Sequence, residues 1–317
     1  MTSNKQKQTL LVALGGNALI RRGERGTAEE QFANLRRPME QIARLAGTYR
    51  LIITHGNGPQ VGNILLQQES CPDVPPLPLE LLVAQTQGQI GYMIESTLEG
   101  ALRALGGPKR HLVSLVSYVV VDGNDPAFAT PTKPIGPIYP PERAAKLPWP
   151  AVQTAKGWRR VVASPRPLTI VERDEIRLLN GLDFIVVCCG GGGIPVVSDG
   201  RAFHGVDAVI DKDLASACLA TEVGVDIMVI ATDVPGVAIG FGTPSERFLH
   251  ELSPQDAERH RQAGEFPDGS MRPKVEAALR FVEGGGRRAI ICHLDEIGAA
   301  VAGDAGTQIL PPREEIS

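Results

Sequence analysis

The chain has 317 residues, 43% of them hydrophobic, enough to bury one large α/β core or two small ones. Its formal net charge of −4 argues against a nucleic-acid binder, which shows a basic face, while leaving room for a local basic cleft. Thirty-five Gly and 25 Pro suit a loop-rich α/β enzyme better than a helical bundle.

The opening residues, 2–8, are polar, and no apolar stretch approaches the ~20 residues of a membrane span, so a soluble, cytoplasmic protein is expected. A first strand is predicted over 10–14, ending in Gly15-Gly16-Asn17, a turn with no lysine in it or just before it. An amphipathic stretch over 28–46 predicts a helix that Pro38 must start, kink or break. A second strand over 50–55 runs into another glycine turn, His55-Gly56-Asn57-Gly58-Pro59-Gln60, followed by a helix over 59–68. The segment 79–105 is helical but contains Gly88, Gly91 and Gly100, which leaves one helix or two open. A strand is predicted over 112–121.

From 122 to 169 prolines come densely and the strand–helix rhythm stops; Trp149, Trp158, Val161 and Val162 favour a small packed subdomain over a disordered linker. The rhythm resumes with a strand over 184–189 and a third turn, Gly190 to Gly193. Then come a helix over 211–222, a strand over 226–231, helices over 254–263 and 271–283, a strand over 288–292 and a helix over 294–302. Short apolar runs alternating with amphipathic stretches predict a parallel sheet covered by helices. The five cysteines include no Cys-x-x-Cys, so reduced, buried thiols are expected, as at Cys188-Cys189 inside an apolar strand.

The glycine turns carry the first chemical signal. Glycine lets backbone approach a ligand, and successive N–H groups ahead of a helix form an anion site. Several alternatives fail: there is no Gly-x-x-x-x-Gly-Lys-Ser/Thr, the dinucleotide fingerprint is off by one at Gly56, Gly58 and Gly62, and neither His-Glu-x-x-His nor Gly-x-Ser-x-Gly occurs. His55, at a strand end beside a glycine turn, is a candidate general base or a residue that fixes the turn.

Positive charge must come from elsewhere, and three lysines stand in unusual contexts. Lys212 follows Asp211, a predicted N-cap, in the first turn of its helix, where a cation opposes the macrodipole unless an anion sits there. Asp213 beside it is placed to orient lysines through charge-assisted hydrogen bonds. Lys274 follows Pro273 at another helix start, and Lys133 is held between Pro131 and Pro134.

Together these strings resemble the carbamate kinases of the amino-acid kinase superfamily. The matching pieces are Val12 to Ala18, His55 to Gly62, Pro131 to Pro137, Gly157 to Val162, Cys189 to Val197, Ile210 to Ser216 and Gly269 to Ala278, in family order over nearly the whole chain. Related kinases such as acetylglutamate kinase resemble Lys-Leu-Gly-Gly at the first turn; here Ala13 holds the lysine's place.

The resemblance implies a single domain over 1–317, a three-layer α-β-α sandwich around an open, mostly parallel sheet, with 122–169 inserted as a protruding lid. It implies reversible transfer of a phosphoryl group between ATP and carbamate, with Mg²⁺, in a homodimer. It assigns catalysis to Lys133 from the lid and to Lys212, Lys274 and Asp213. Gly15, Gly16, Asn17, Gly56, Asn57, Gly58, Gly191 and Gly192 would bind substrate and phosphate, with the acceptor on the N-terminal side. Thr232, Asp233, Val237 and Met271 would bind nucleotide. Two departures bear on nucleotide affinity: Ala238 stands where an aromatic is common, leaving stacking to Phe241, and Arg272 stands where small or apolar residues are usual.

Carbamate is already an anion, so its oxygen needs no general base. ATP plus carbamate carries about five negative charges and Mg²⁺ offsets two, leaving roughly three, the number of lysines. A kinase of another small acid, or a nucleotide-binding protein without turnover, are the competing readings.

Overall fold

The structure, a computed structural model, describes residues 7–21, 23–71, 73–147, 149–154, 157–266 and 271–311. The strands of its main sheet are β1 (Thr9–Leu14), β2 (Arg50–His55), β3 (Leu112–Ser114), β9 (Ile185–Val187), β12 (Ile227–Thr232), β15 (Glu251–Leu252), β16 (Arg288–His293) and β17 (Thr307–Ile309), in the spatial order β15-β17-β16-β12-β1-β2-β9-β3. Neighbours run parallel except β16 and β17.

Side chains alternate across a strand, so each buried strand feeds two cores. Leu11 and Ala13 of β1 join one core, where α6 (Arg173–Gly181), α7 (Lys212–Val223) and α9 (Met271–Glu283) pack. Leu10, Val12 and Leu14 join the other, against α1 (Ala28–Leu45), α3 (Leu79–Ala104) and α10 (Ile297–Ala302). This is the expected three-layer α/β sandwich. No described helix is long and apolar enough to cross a membrane.

Local chemistry explains the helices that position the site. In α1, Thr27 and Glu30 form a capping box, and the helix runs on through Pro38, which is buried against the core. The remaining helices are α2 (Gly58–Ser70), α4 (Pro126–Ala129), α5 (Pro141–Ala144) and α8 (Pro254–Gln262). The glycines of α3 do not divide it: Gly91 lets the helix close on β3, where a Cβ would lie 2.6 Å from Ser114 Oγ.

The expected strand over 112–121 is in fact two. β3 ends at Ser114 on the edge of the main sheet, and β4 (Tyr118–Val121) joins a second sheet, ordered β11-β10-β4-β8, with β8 (Pro167–Ile170), β10 (Ile194–Ser198) and β11 (Phe203–Gly205). A side chain marks the break: Gln87 of α3 accepts from Ser117 N at 2.8 Å, taking the bond a ladder would use, and donates at 3.2 Å to Ser117 O, which also accepts from Ile194 N of β10 at 2.9 Å.

The proline-dense stretch also has regular structure. β5 (Lys133–Tyr139), β6 (Ala151–Thr154) and β7 (Gly157–Val162) form an antiparallel sheet, ordered β5-β7-β6. β5 lies on α2, where a Cβ on Gly62 would lie 3.5 Å from Gly136 Cα, and Arg160 stacks on Trp149 at 4.8 Å. A two-stranded ribbon, β13 (Ala238–Ile239) with β14 (Arg247–Phe248), completes the strands. Among the cysteines Cys188, Cys189 and Cys292 are buried and Cys218 half-buried, but Cys71 is exposed, contrary to the expectation of burial; all five are free thiols.

Candidate active site

The carboxyl ends of four adjacent strands, β12, β1, β2 and β9, open toward one crevice, the usual ligand position in open α/β sheets. The first glycine turn leaves β1 and becomes a single 3-10 turn, Gly16–Ala18. Gly15 N donates to Ala231 O at 2.9 Å, and a Cβ at Gly15 would press that same oxygen at 3.1 Å. The second turn leaves β2 beside it: Gly56 N donates to Leu14 O at 3.0 Å, and a Cβ at Gly56 would lie 3.2 Å from Gly16 N and 3.5 Å from Lys212 Cδ. Two backbones and one lysine stem therefore converge closely enough that a side chain at either glycine would push on a neighbour.

Asn57 N-caps α2 by position, yet its side chain makes no capping bond; its Nδ2 donates instead to Thr86 Oγ1 at 2.9 Å. The first N–H groups of α2 stay uncovered by that side chain. The third turn sits against the same asparagine. Gly191 has φ +69°, and a Cβ there would lie 2.1 Å from Asn57 Nδ2, while Gly192, φ +91°, backs onto Ile210 O. Gln87 Nε2 donates to Gly190 O at 3.2 Å, so Thr86 and Gln87 of α3 tie the second and third turns together.

α7 brings the charge. Asp211 Oδ1 caps it, accepting from Asp213 N at 3.0 Å and Leu214 N at 3.3 Å, and Gly224 at φ +75° ends it. Thr54 and Ser216 hydroxyls, 2.7 Å apart, pin the helix to β2. Lys212 hydrogen-bonds one Asp213 oxygen, and Lys274 reaches the other from α9 at 3.1 Å. Small residues let α9 come this close: Ala217 and Ala220 share a core with Ala277 and Ala278.

Burial lowers the Lys212 pKa, and Lys274 nearby adds to the fall, while Asp213 opposes it. For Lys274 burial acts the same way, but Asp213 outweighs it, and its pKa lies above the ordinary lysine value. Burial disfavours the Asp213 carboxylate, yet the two ammonium groups hold its pKa down to about 2.

Lys133, at the start of β5, places Nζ 2.8 Å from Asp211 Oδ2. Lys133, Lys212, Asp213 and Lys274 line one cavity of about 220 Å³ with Gly56, Asn57, Gly58 and Gly191. A second hollow adjoins it, lined by Thr232, Asp233, Gly236, Ala238, Phe241 and Met271, and Lys274 lines both. Val237 lies apart: fully buried in the core, with its N–H on Thr307 Oγ1 at 2.8 Å, it leaves the hollow to its neighbours Gly236 and Ala238. Gly15, Gly16, Asn17 and Gly192 stand behind the cavity rather than in its lining. Gly269 lies outside the described residues.

His55 is fully buried, its Nδ1 3.1 Å from Gly56 O and its ring against Gly190. Burial pushes its pKa down to about 4, with Lys212 adding to the fall. It fixes the turn and does not face the cavity. The larger hollows lie elsewhere. One of about 500 Å³ sits at the opposite strand ends, where Lys7, Arg177 and Arg287 are paired with Asp183, Asp174 and Asp226.

Three lysines, three glycine turns and an adjoining hollow thus converge on one cleft. The model of the amino acid kinase family matches residues 8–293. A carbamate kinase of Thermococcus kodakarensis is 48% identical over 311 residues, 95% of this chain and 98% of the relative. The chain belongs to the amino acid kinase family, and within it to the carbamate kinases. The Haemophilus influenzae carbamate kinase is 46% identical over 97% of this chain and 98% of its own length. Among solved structures, a carbamate kinase from Giardia lamblia bound to AMP-PNP superposes with a TM-score of 0.89 at 38% identity, covering 96% of this chain and 99% of that one.

Carbamate kinase motifs marked the lysines and turns. Sequence reasoning missed Thr86, Gln87 and Ser117, which never touch the cavity but brace its walls. The available signal was a polar pair, Thr86-Gln87, inside the apolar stripe of α3, where both are buried.

Proposed function

We propose that this phosphotransferase interconverts ATP plus carbamate and ADP plus carbamoyl phosphate. The observation that carries the reading is Lys274, shared between the acceptor cavity and the nucleotide hollow and tied through Asp213 to Lys212. A phosphoryl group in transit must lie between those two spaces. Lys212 and Lys274 neutralise charge on it and on the β-phosphate, and Asp213 holds both ammonium groups in place, so little reorganisation is needed as charge moves. Lys133 covers carbamate and the transferring phosphate from the lid. Gly56, Asn57, Gly58 and Gly191 present backbone around the acceptor. Thr232, Asp233, Gly236 and Met271 bound the nucleotide, with Phe241, 55% exposed at the rim, available to stack on the base.

No side chain serves as a general base, because carbamate arrives ionised. Among the described residues no cluster of three or more His, Cys, Asp or Glu can cage a metal. Mg²⁺ would enter on the nucleotide phosphates, keeping most of its waters. When bound it neutralises phosphate charge; the lysines complete that task.

The charge count differs from the simple match of three lysines to three anionic charges. Asp211 and Asp213 stand among the lysines, so five side chains sum to about +1 against roughly −3 on the ligands. Backbone N–H groups at the glycine turns and at the start of α2, which no side chain caps, supply the remaining attraction.

The segment 122–169 is read as a lid over this cleft. A homodimer is the remaining part of the reading, supported by the free edge of β3 and the exposed Leu81 and Tyr92 on neighbouring α3. Acceptor identity is tested by offering ADP and Mg²⁺ with carbamoyl phosphate or acetyl phosphate. ATP formation from carbamoyl phosphate at least about a hundredfold faster in kcat/KM is expected. Equal rates, or a preference for acetyl phosphate, would refute the substrate.

A further inference from the structure

We infer that Asp211 is a positioning residue that sets the lid lysine, Lys133, over the acceptor cavity. The inference rests on the phosphoryl-transfer reading above. Asp211 divides its two oxygens between two tasks. Oδ1 caps α7 through Asp213 N and Leu214 N, and Oδ2 receives Lys133 Nζ at 2.8 Å. Capping alone needs one uncharged oxygen, and Asn or Ser supplies it as well as Asp does. The negative charge is surplus to that role. It is also unwelcome in a cleft for polyanions, where Asp213 already provides one carboxylate. The ion pair with Lys133 gives the charge its use.

The surroundings point the same way. Lys133 is a long, flexible side chain with four carbons to order, and its side chain remains 34% exposed even when paired, whereas that of Asp211 is 14% exposed. Among the described residues Asp211 is the one partner of the Lys133 ammonium group. Two further ties of the lid run to the same short segment: Arg160 Nη2 donates to Asp207 Oδ2 at 2.6 Å, and Val209 N donates to Ala163 O at 3.0 Å just beyond β7, while Tyr139 and Arg143 tie it separately to Glu69 of α2. Residues 207–211 therefore link the lid sheet directly to the start of α7, where Lys212 and Asp213 stand. The lysine reaches the cavity in a set posture before substrate arrives, the condition under which a charged group gains most in positioning a reactant.

The test is a double-mutant cycle with ADP, carbamoyl phosphate and Mg²⁺, using wild type, D211N, K133A and D211N/K133A. Asn keeps the capping oxygen and removes the charge, so D211N should melt near wild type. Its kcat/KM for carbamoyl phosphate should fall about tenfold or more while KM for ADP moves less than about twofold. In the K133A background D211N should cost less than about twofold, since no lysine remains to be placed. Equal losses in both backgrounds would overturn the inference, and so would tighter carbamoyl phosphate binding by D211N, the mark of a carboxylate that only repels ligand. A wild type inactive toward carbamoyl phosphate would instead sink the underlying reading, and this inference with it.

Discussion

Two lysines share one buried carboxylate at Asp213, and this small group sets the electrostatics of the cleft. Removing one cation should leave the fold in place, because Asp213 keeps its other partner. Lys274→Ala should therefore lower kcat by about two to three orders of magnitude with an unchanged far-UV spectrum. Near wild-type turnover would remove Lys274 from the mechanism. His55 allows a second test at this scale. Its pKa falls from 6.5 in the unfolded chain to about 4 in the fold, mainly through burial. Between these values the unfolded chain binds more protons, so His55 stability is complete above pH 6.5 and is lost as pH falls toward 4, by up to about 3 kcal/mol. Urea unfolding of wild type and His55→Gln across pH 4–7 should show a shallower acid slope in the variant; parallel slopes would contradict the burial argument. Lys212 was legible at the residue scale, because a cation at a helix start signals an anion. The partnership of Asp211 was not, since Lys133 lies 78 positions away and no local pattern connects them.

At the scale of elements, α3 acts as a brace. Gln87 bonds both backbone groups of Ser117 and also Gly190 O, and Thr86 holds Asn57. Gln87→Leu would leave buried Ser117 N without its acceptor, at about 1–3 kcal/mol, and loosen the third glycine turn. Stability should fall by that order and KM for carbamoyl phosphate should rise; Gln87→Glu, which retains the acceptor for Ser117 N, should recover part of the stability. A variant as stable as wild type would show that water replaces the side chain. Most strands and helices were readable because their apolar periods are clean, β1 and β2 above all. The break at Leu115–Ser117 was not, because a glutamine from another element marks it. The sheet of β5, β6 and β7 also escaped: Pro134 and Pro137 hid the alternation in β5, and its partner β7 lies on the far side of a loop.

For the whole molecule, the order of strands explains why motifs distant in sequence meet. Four turns after β12, β1, β2 and β9 open on one crevice, and the chain must fold completely before any of them forms a site. The sandwich was legible from alternating runs, whereas the joining of lid to α7 depends on contacts such as Arg160 with Asp207, whose separation carries no sequence signal. If 122–169 closes on ligand, ADP with carbamoyl phosphate should slow proteolysis inside β5–β7; cleavage indifferent to ligand would count against closure.

The most direct measurement of the central claim is the initial rate of ATP formation from ADP and carbamoyl phosphate with Mg²⁺, for wild type and for Lys212→Ala. The account predicts rapid ATP formation by the wild type and a loss of about a hundredfold or more in the folded variant. A silent wild type that still binds ADP, or a variant that turns over at the wild-type rate, would contradict it.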